Sequence, residues 1–430
     1  MKIAIIGGGI AGNTLAYHLN IDHDITVFEA ESHIGGHTHT HTVEMAGQTY
    51  SVDTGFIVFN DRTYPNFNAL LESLEVPWQN SEMSFSVKCE NTGLEYNGTS
   101  LNSLFAQRSN FLRPKFYRMI RDIMRFNKNA LELLADGEEI TLGNYLAKNH
   151  YGDDFIQFYI IPMGAAIWST DATQMLDFPA RFFVRFFHHH GMLTVNNRPQ
   201  WRTIVGGSAQ YVAKLTTSFK DKIKLNSPIE SVRRLKKSVM VKPFLGEEQA
   251  FDWVFFACHS DQALRILQDA SPQEKALLGA IPYQENTVFL HTDTSLMPKR
   301  KLAWAAWNYH LTPHVQHQVA VTYNMNILQN IHAPETLLVT LNHTRFINPA
   351  KVIKRLNYMH PVFTLEGAAA QQRHAEISGV NRTCYAGAYW RNGFHEDGVA
   401  SALTALEHFK LALENYPESY SASTTKSHAK

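Results

Sequence analysis

Cysteine is scarce in this chain of 430 residues: Cys89, Cys258 and Cys384 are the only three, and no two form a C-x-x-C pair. A zinc ribbon and a dithiol redox centre therefore lack their ligands, and a sparse, odd count fits a reducing compartment. An excess of either charge is also missing. Lys+Arg and Asp+Glu both number 39, so the formal net charge is zero with His neutral. Such a balance argues against a chain built to bind nucleic acid. Charged residues make up 18% and hydrophobic residues 44%, where globular chains average about 25% charged. A large core is expected, and disorder is not. Long apolar runs are absent too. No stretch approaches the roughly 18 residues of a membrane span. Met1-Lys2 leads into only four apolar residues, Ile3 to Ile6, where a signal peptide has a longer apolar stretch. A cytoplasmic protein is expected.

What the chain does have begins at its first residues. Ile3 to Ile6 reads as a short strand buried on both faces, Gly7-Gly8-Gly9 as a turn, and Ile10 to Leu19 as a helix. A second strand, Asp24 to Phe28, ends at Glu29. Gly7-x-Gly9-x-x-Gly12 fits the dinucleotide fingerprint in its required strand–turn–helix setting. Gly7 permits the tight turn, Gly9 lets the backbone approach a diphosphate, and Gly12 lets the helix pack on the sheet. The helix N-terminus offers free N–H groups and partial positive charge. Glu29 stands where a carboxylate accepts hydrogen bonds from a ribose diol and disfavours a 2′-phosphate.

Two further glycine-bearing segments suit an extended cofactor, FAD, over NAD. Gly35-Gly36 follows Glu29 closely, and Tyr385-Ala386-Gly387-Ala388 precedes Gly393-Phe394-His395-Glu396-Asp397-Gly398-Val399, which leads into a helix expected over 399–413. No second G-x-G-x-x-G occurs, because Gly206-Gly207 lacks the spacing. A reductase binding FAD and NAD(P)H in two such folds is thereby disfavoured. Strand-like runs are expected at 229–235, 238–244, 250–258, 287–291, 319–323 and 337–341, and a basic helical region at 101–134. Residues 416–430 read as a flexible polar tail.

These residues resemble the flavin-containing amine oxidoreductase superfamily, and more closely the bacterial amine-oxidase-like NAD/FAD-binding proteins. The resemblance covers nearly the whole chain. It rests on Gly35-Gly36-His37-Thr38, Val52-Asp53-Thr54-Gly55-Phe56, Tyr64-Pro65-Asn66, Ala166-Ile167-Trp168-Ser169, Trp304-x-x-Trp307-Asn308-Tyr309, Thr322-Tyr323-x-x-Asn326, and Gly393-Phe394-His395-Glu396-Asp397-Gly398. It implies an α/β fold: a Rossmann-type FAD-binding domain (1–60, 200–270 and 378–415) with an inserted mixed α+β substrate domain (61–199 and 271–377). It implies an FAD-dependent oxidoreductase, with an amine oxidase, a redox-neutral flavin-dependent isomerase and a non-catalytic FAD-bound partner of a lipid methyltransferase as the alternatives. The implied cofactor set is Gly7, Gly9, Ile10, Ala11, Gly12, Glu29, Ala30, Gly35, Gly36, His37, Thr54, Gly55, Phe56, Ile229, Gly387, Glu396, Asp397, Gly398 and Val399. Ile229 matches the residue whose backbone meets the adenine, and 396–399 the helix N-terminus at the flavin pyrimidine ring. Relatives are commonly encoded beside cyclopropane-fatty-acid-synthase-like methyltransferases, which implies a lipid methyltransferase partner and a fatty acyl substrate.

The sequence also departs from that pattern. His37 stands where an arginine often follows the glycine pair. The strand 285–290 lacks the lysine that amine oxidases hold near the flavin, and Asn286 takes roughly its place. Cys384 is not at the position of covalent flavin attachment, so non-covalent FAD is expected. No catalytic base stands out. Trp304, Trp307, Asn308, Tyr323 and Phe394 are candidate substrate residues, with plain core packing as the alternative. His37, His39 and His41 would share one face of a strand, as polar lining or surface more readily than as a metal site. The basic 101–134 region reads as helices covering the substrate domain, with a peripheral contact to an anionic membrane as its alternative.

Overall fold

The computed structural model describes residues 1–136, 140–170, 172–194, 198–312 and 319–415, so the expected tail at 416–430 lies outside the described residues. Strand β1 (Lys2–Ile6), helix α1 (Ile10–Leu19) and strand β2 (Asp24–Phe28) form where the apolar run, the glycines and the second apolar run place them. They belong to a five-stranded sheet in the order Ile223–Lys224, β2, β1, Trp253–Phe256, Thr383–Tyr385, with every neighbouring pair parallel. Side chains of β1 alternate between two cores. Ile3 and Ile5 pack with Leu15 of α1 and with Ala402, Ala405 and Leu406 of the final helix, His395–Asn415. Ala4 and Ile6 pack with Val254, Phe256, Leu277 and Leu278 on the other face. Both faces are covered, which is why β1 reads as a continuous apolar run.

The expected strand at 250–258 is two strands. Gln249–Phe251 completes an antiparallel meander with Ile229–Arg234 and Val239–Pro243, and Trp253–Phe256 enters the parallel sheet. The break falls at Asp252, whose carboxylate accepts the Lys2 N–H at 2.7 Å and whose own N–H is given to the Lys2 carbonyl. The final helix starts at His395, four residues before the expected Val399.

The second large sheet has seven strands, in the order Val352–Pro361, Tyr283–His291, Leu338–Leu341, Val321–Asn324, Trp307–Leu311, Phe85–Cys89, Leu94–Asn97. Only its 307–311/85–89 pair is parallel. Helices Pro114–Asn129, Ile161–Trp168 and Ala180–His189 bury an aromatic-rich face in its core. Two features cross the domain boundaries expected from sequence. Helix Pro272–Gly279 puts Leu277 and Leu278 into the core shared with the parallel sheet. A small sheet joins Phe59–Asn60 and Trp78–Asn80 through Trp201–Ile204. One element packs its apolar side chains, and the other pairs its backbone, across the boundaries expected from the sequence.

Candidate functional site

The glycine turn is built as its spacing requires. Gly7 sits at φ +108°, and a Cβ there would meet the Ala257 carbonyl at 2.7 Å. At Gly12 a Cβ would collide with the Gly7 carbonyl oxygen, so α1 could not approach the turn. Gly9 differs: nothing lies within 4 Å of where its Cβ would stand. Open space thus borders the N-terminus of α1, which has no side-chain cap and no acidic residue in its first turn. Its free N–H groups face that space. Glu29 closes the turn, since its carboxylate accepts the N–H of Gly8 at 2.7 Å and of Glu31 at 2.9 Å. Its carbonyl accepts the Ser227 N–H, which brings Ile229 and its meander to the end of β2. Ala30 follows at the surface.

A second loop docks on the first. The N–H of Gly35 is given to the Gly8 carbonyl at 2.9 Å, and Gly36, at φ +58°, lies against the Gly9 Cα. The next carbonyl, that of His37, accepts the Phe56 N–H at 2.8 Å and leaves no room for a side chain at Gly55. Thr54 shares a hydrogen bond with the Tyr358 hydroxyl at 2.8 Å. The final helix arrives with Gly398 pressed on Ile10, where a Cβ would stand 2.5 Å from the Ile10 Cγ2. Two helix N-termini therefore meet beside the same glycine turn. Val399 is buried beside Ile10 and Tyr211. Gly387 gives its N–H to the Ser401 hydroxyl at 2.9 Å and so ties the last parallel strand to this helix.

The side chains of Glu396 and Asp397 do other work. Glu396 accepts hydrogen bonds from the N–H groups of Asn66 and Phe67 and from the Asn66 amide, and so caps helix Pro65–Ser73. Asp397 accepts the Phe394 N–H at 2.9 Å, and burial pushes its carboxyl up to about 7. Only the backbone of 396–399 is left to face a ligand. Sequence reasoning missed the neighbouring triangle. His395 lies flat on Phe56 with ring centroids 3.5 Å apart, and its Nε2 is 2.7 Å from the Tyr211 hydroxyl and 3.0 Å from that of Thr38. It also missed Asp53, which accepts hydrogen bonds from the hydroxyl and N–H of Ser208 and from the Gln329 amide. Burial raises Asp53 to about 6. The sequence signal was Gly207-Ser208, whose glycine stands at φ +90°.

The two departures from the family pattern converge. His37 leaves the line of His39 and His41: the His39 ring stacks on His33 at 4.0 Å and lies 4.1 Å from His41, outside the cluster. The His37 ring instead lies 5.4 Å from His360, 5.1 Å from Tyr358 and 6.1 Å from His259. His360 Nδ1 is 3.3 Å from the amide nitrogen of Asn286, whose carbonyl accepts a hydrogen bond from Asn342 at 2.8 Å. Burial holds His37 and His259 down at about 4 and His360 at about 3, each further lowered by a neighbouring ring of the cluster. All three are neutral at pH 7. The Nε2 of His37 is shielded and has no hydrogen-bond partner in the protein. Yet His37, His259, Tyr358 and His360 are each half-buried, as residues that line an internal space are.

The expected substrate set does not assemble. Trp304 gives its indole N–H to the Pro298 carbonyl at 2.8 Å and accepts from Asn97 on its own carbonyl. Asn308 spends its amide on Ser86, Ala305 and Thr322 inside the sheet. Both are structural, because neighbouring backbone saturates their polar atoms. Trp307 and Tyr323 form an edge-to-face pair at 4.9 Å. Phe394 stands apart from them, stacked on Phe186 at 4.9 Å beside His190.

The site suits a long, anionic, flat cofactor on the chain's own terms. The open space at Gly9, the uncapped N-terminus of α1 and the acceptor carboxylate of Glu29 meet at one turn, and the loop docked on it carries the unpartnered imidazole nitrogen of His37. Known proteins bear on its identity. No curated protein matches the chain. In fold it is similar to putrescine oxidase (TM-score 0.67, 15% identity, 95% of this chain and 99% of that one). It is likewise similar to cyclohexylamine oxidase from Brevibacterium oxydans IH-35A (0.68, 15%, 96% and 99%). A CLA-producing fatty acid isomerase from P. acnes shares the fold as well (0.66, 14%, 95% and 98%). At these identities the likeness shows architecture alone. The sequence profile described as flavin containing amine oxidoreductase, however, matches residues 10–348. The chain is an FAD-dependent oxidoreductase and belongs to the flavin-containing amine oxidoreductase family.

Proposed function

We propose that the protein oxidises an uncharged, apolar carbon chain of fatty acyl type, with FAD held non-covalently. The observation that carries this reading is the neutral set at Asn286. Where a free amine would call for a carboxylate or an aromatic cage, the groups brought together are Asn286, Asn342, Tyr358 and three neutral histidines. Asp53, the acid nearest in sequence to Thr54, is spent on Ser208 and Gln329. Cys384 is fully buried in the parallel sheet and out of reach for covalent attachment.

In this reading the turn 7–12 and the N-terminus of α1 hold the diphosphate, and Glu29 holds the ribose diol. The backbone of Ile229 meets the adenine. The unpartnered Nε2 of His37 would be available to the cofactor, and the backbone N–H groups at 396–399 would stabilise negative charge on a reduced flavin. Bound FAD would supply the acceptor for a hydride equivalent. The chain's share is positioning and exclusion of water by Phe56, Phe394 and Tyr358.

The test is anaerobic stopped-flow on the reconstituted holoprotein, with benzylamine, a polyamine, and phospholipid-bound unsaturated or methylated acyl chains. Flavin bleaching by an acyl substrate is the expected result. Fast bleaching by an amine, with none by any lipid, would reverse the assignment.

A further inference from the structure

Charge is balanced over the whole chain but not along it. Between residues 101 and 132 there are seven Lys and Arg against two carboxylates, Asp122 and Glu132. Asp122 is buried and already engaged by Arg125 at 3.3 Å and by the Gly152 N–H. Arg125 is likewise held, by the carbonyls of Asn149 and His150 and the face of Tyr151. Lys115, Arg118, Arg121 and Lys128 are exposed, and none forms an ion pair among the described residues.

Helix Pro114–Asn129 turns Phe116, Met119 and Phe126 into the core, at 4%, 1% and 0% exposure. Its outer stripe, at spacings of four, three and four, is Tyr117, Arg121, Met124 and Lys128. Tyr117 and Met124 are 47% and 54% exposed there. The turn before the helix extends the same surface. The Tyr117 hydroxyl reaches the Phe111 carbonyl at 3.2 Å, and Phe111 and Leu112 stand 50% and 87% exposed. Beside the stripe, Lys115, Arg118 and Arg121 line a cleft of about 420 Å³ together with Asp122, Asp153 and Asp154.

We propose that this face docks peripherally on an anionic phospholipid bilayer. The free cations meet lipid phosphates, and Phe111, Leu112, Tyr117 and Met124 enter the headgroup–acyl boundary. A purely acidic segment would satisfy the cations but leave Leu112 and Phe111 in water, whereas an anionic bilayer engages both halves of the surface. Among the described residues no helix is long and apolar enough to cross a membrane, which keeps the contact peripheral. Substrate identity plays no part in this argument, so it stands or falls separately from the acyl reading.

The experiment is vesicle co-sedimentation of the full-length, FAD-loaded protein, comparing phosphatidylcholine vesicles with vesicles containing phosphatidylglycerol. Binding should be at least tenfold stronger to the anionic vesicles and collapse in high salt. Each cation near the surface is worth about 1 kcal/mol, or roughly fivefold. Reversing Lys115, Arg118, Arg121 and Lys128 to Glu together should therefore lose more than 100-fold. Leu112→Ser should lose several-fold with the charge unchanged. An unaltered flavin spectrum and melting temperature would show that these exposed substitutions leave the fold intact. Equal binding to both vesicle types, binding to neither, or indifference to the charge reversal overturns the proposal. So does equal retention on immobilised polyglutamate that ignores Leu112→Ser, which would assign the face to an acidic protein.

Discussion

Removing the Glu29 carboxylate should damage two things that separate measurements distinguish. The carboxylate already accepts two backbone N–H groups, from Gly8 and Glu31. Two carboxylate oxygens offer about four acceptor positions, so two remain for a ribose diol. Hydrogen bonds to a charged group contribute about 1.5–3 kcal/mol each, and a buried N–H left alone costs about 1–3 kcal/mol. Because the Glu31 N–H is only part-buried and water can replace its partner, Glu29→Ala should destabilise the apoprotein by about 2–4 kcal/mol, less than two full charged bonds. Independently, it should weaken FAD binding by about 1–3 kcal/mol, roughly 5- to 150-fold in Kd. Glu29→Gln should do nearly as badly, because its amide nitrogen would face a backbone donor. Urea unfolding of apoprotein reads the first effect, and fluorescence quenching on FAD reconstitution reads the second. A loss of stability with unchanged FAD affinity would reduce Glu29 to a clamp on the turn and refute its ribose role. Unchanged stability would refute the hydrogen bonds themselves.

Glu274→Ala should cost about 1–3 kcal/mol, since Arg234 keeps Asp269 at 3.0 Å but buried donors lose their acceptor. Arg234 would lose both of its bonds to that carboxylate (2.6 and 2.9 Å), and Tyr385 would lose its acceptor; the urea midpoint reads the loss. Acid should destabilise the apoprotein well before carboxylates such as Glu274 titrate. His190 and His291 are buried and held down at about 4, His343 and His374 at about 3, and His395 is lowered as well, each chiefly by burial. A depressed folded pKa gives stability that is present above about 6.5, the unfolded value, and lost as pH falls, about 1 kcal/mol per histidine between pH 6.5 and 5.5. Asp53 and Asp397 are raised to about 6 and about 7, so they act oppositely. Together they add about 2 kcal/mol over the same interval. The histidines win, and the melting temperature should fall from pH 7 to 5.5; a rise would refute the balance.

Local chemistry made much of this site legible in the sequence. The turn at 7–12 needs glycine at fixed offsets, and β1 needs apolar residues on both faces, so motif and strand announce themselves within a few residues. The Thr38–Tyr211–His395 triangle and the His37–His360–Asn286 contact join segments far apart in sequence, and no local period marks them. Asn308 misled for the opposite reason. A polar residue between aromatics reads as a site, but here it satisfies backbone groups inside a sheet. Residues 250–258 misled because one apolar run served two sheets, and only Asp252 marks the break.

The two departures from the family pattern behave as one electrostatic unit, and that makes Asn286 a test of the whole reading. Asn286 is fully buried, with His360 and Asn342 on its amide and His37 one ring further on. A lysine at this position would place an ammonium against donors and neutral imidazoles. No carboxylate bonds to Asn286, Asn342 or His360 among the described residues. An unpaired buried ammonium either loses its proton, its pKa falling by up to about 3–5 units, or costs several kcal/mol. If His37 were an arginine, two cations would converge on His360, so the neutral residues at 37 and 286 are mutually required. Asn286→Lys should therefore lower stability by about 2–4 kcal/mol in urea unfolding and confer no oxidation of benzylamine. The double variant His37→Arg/Asn286→Lys should be worse than the two single changes added together. A stable Asn286→Lys protein that oxidises benzylamine would show that the neutral cluster is incidental and that the chain is an amine oxidase lacking one side chain.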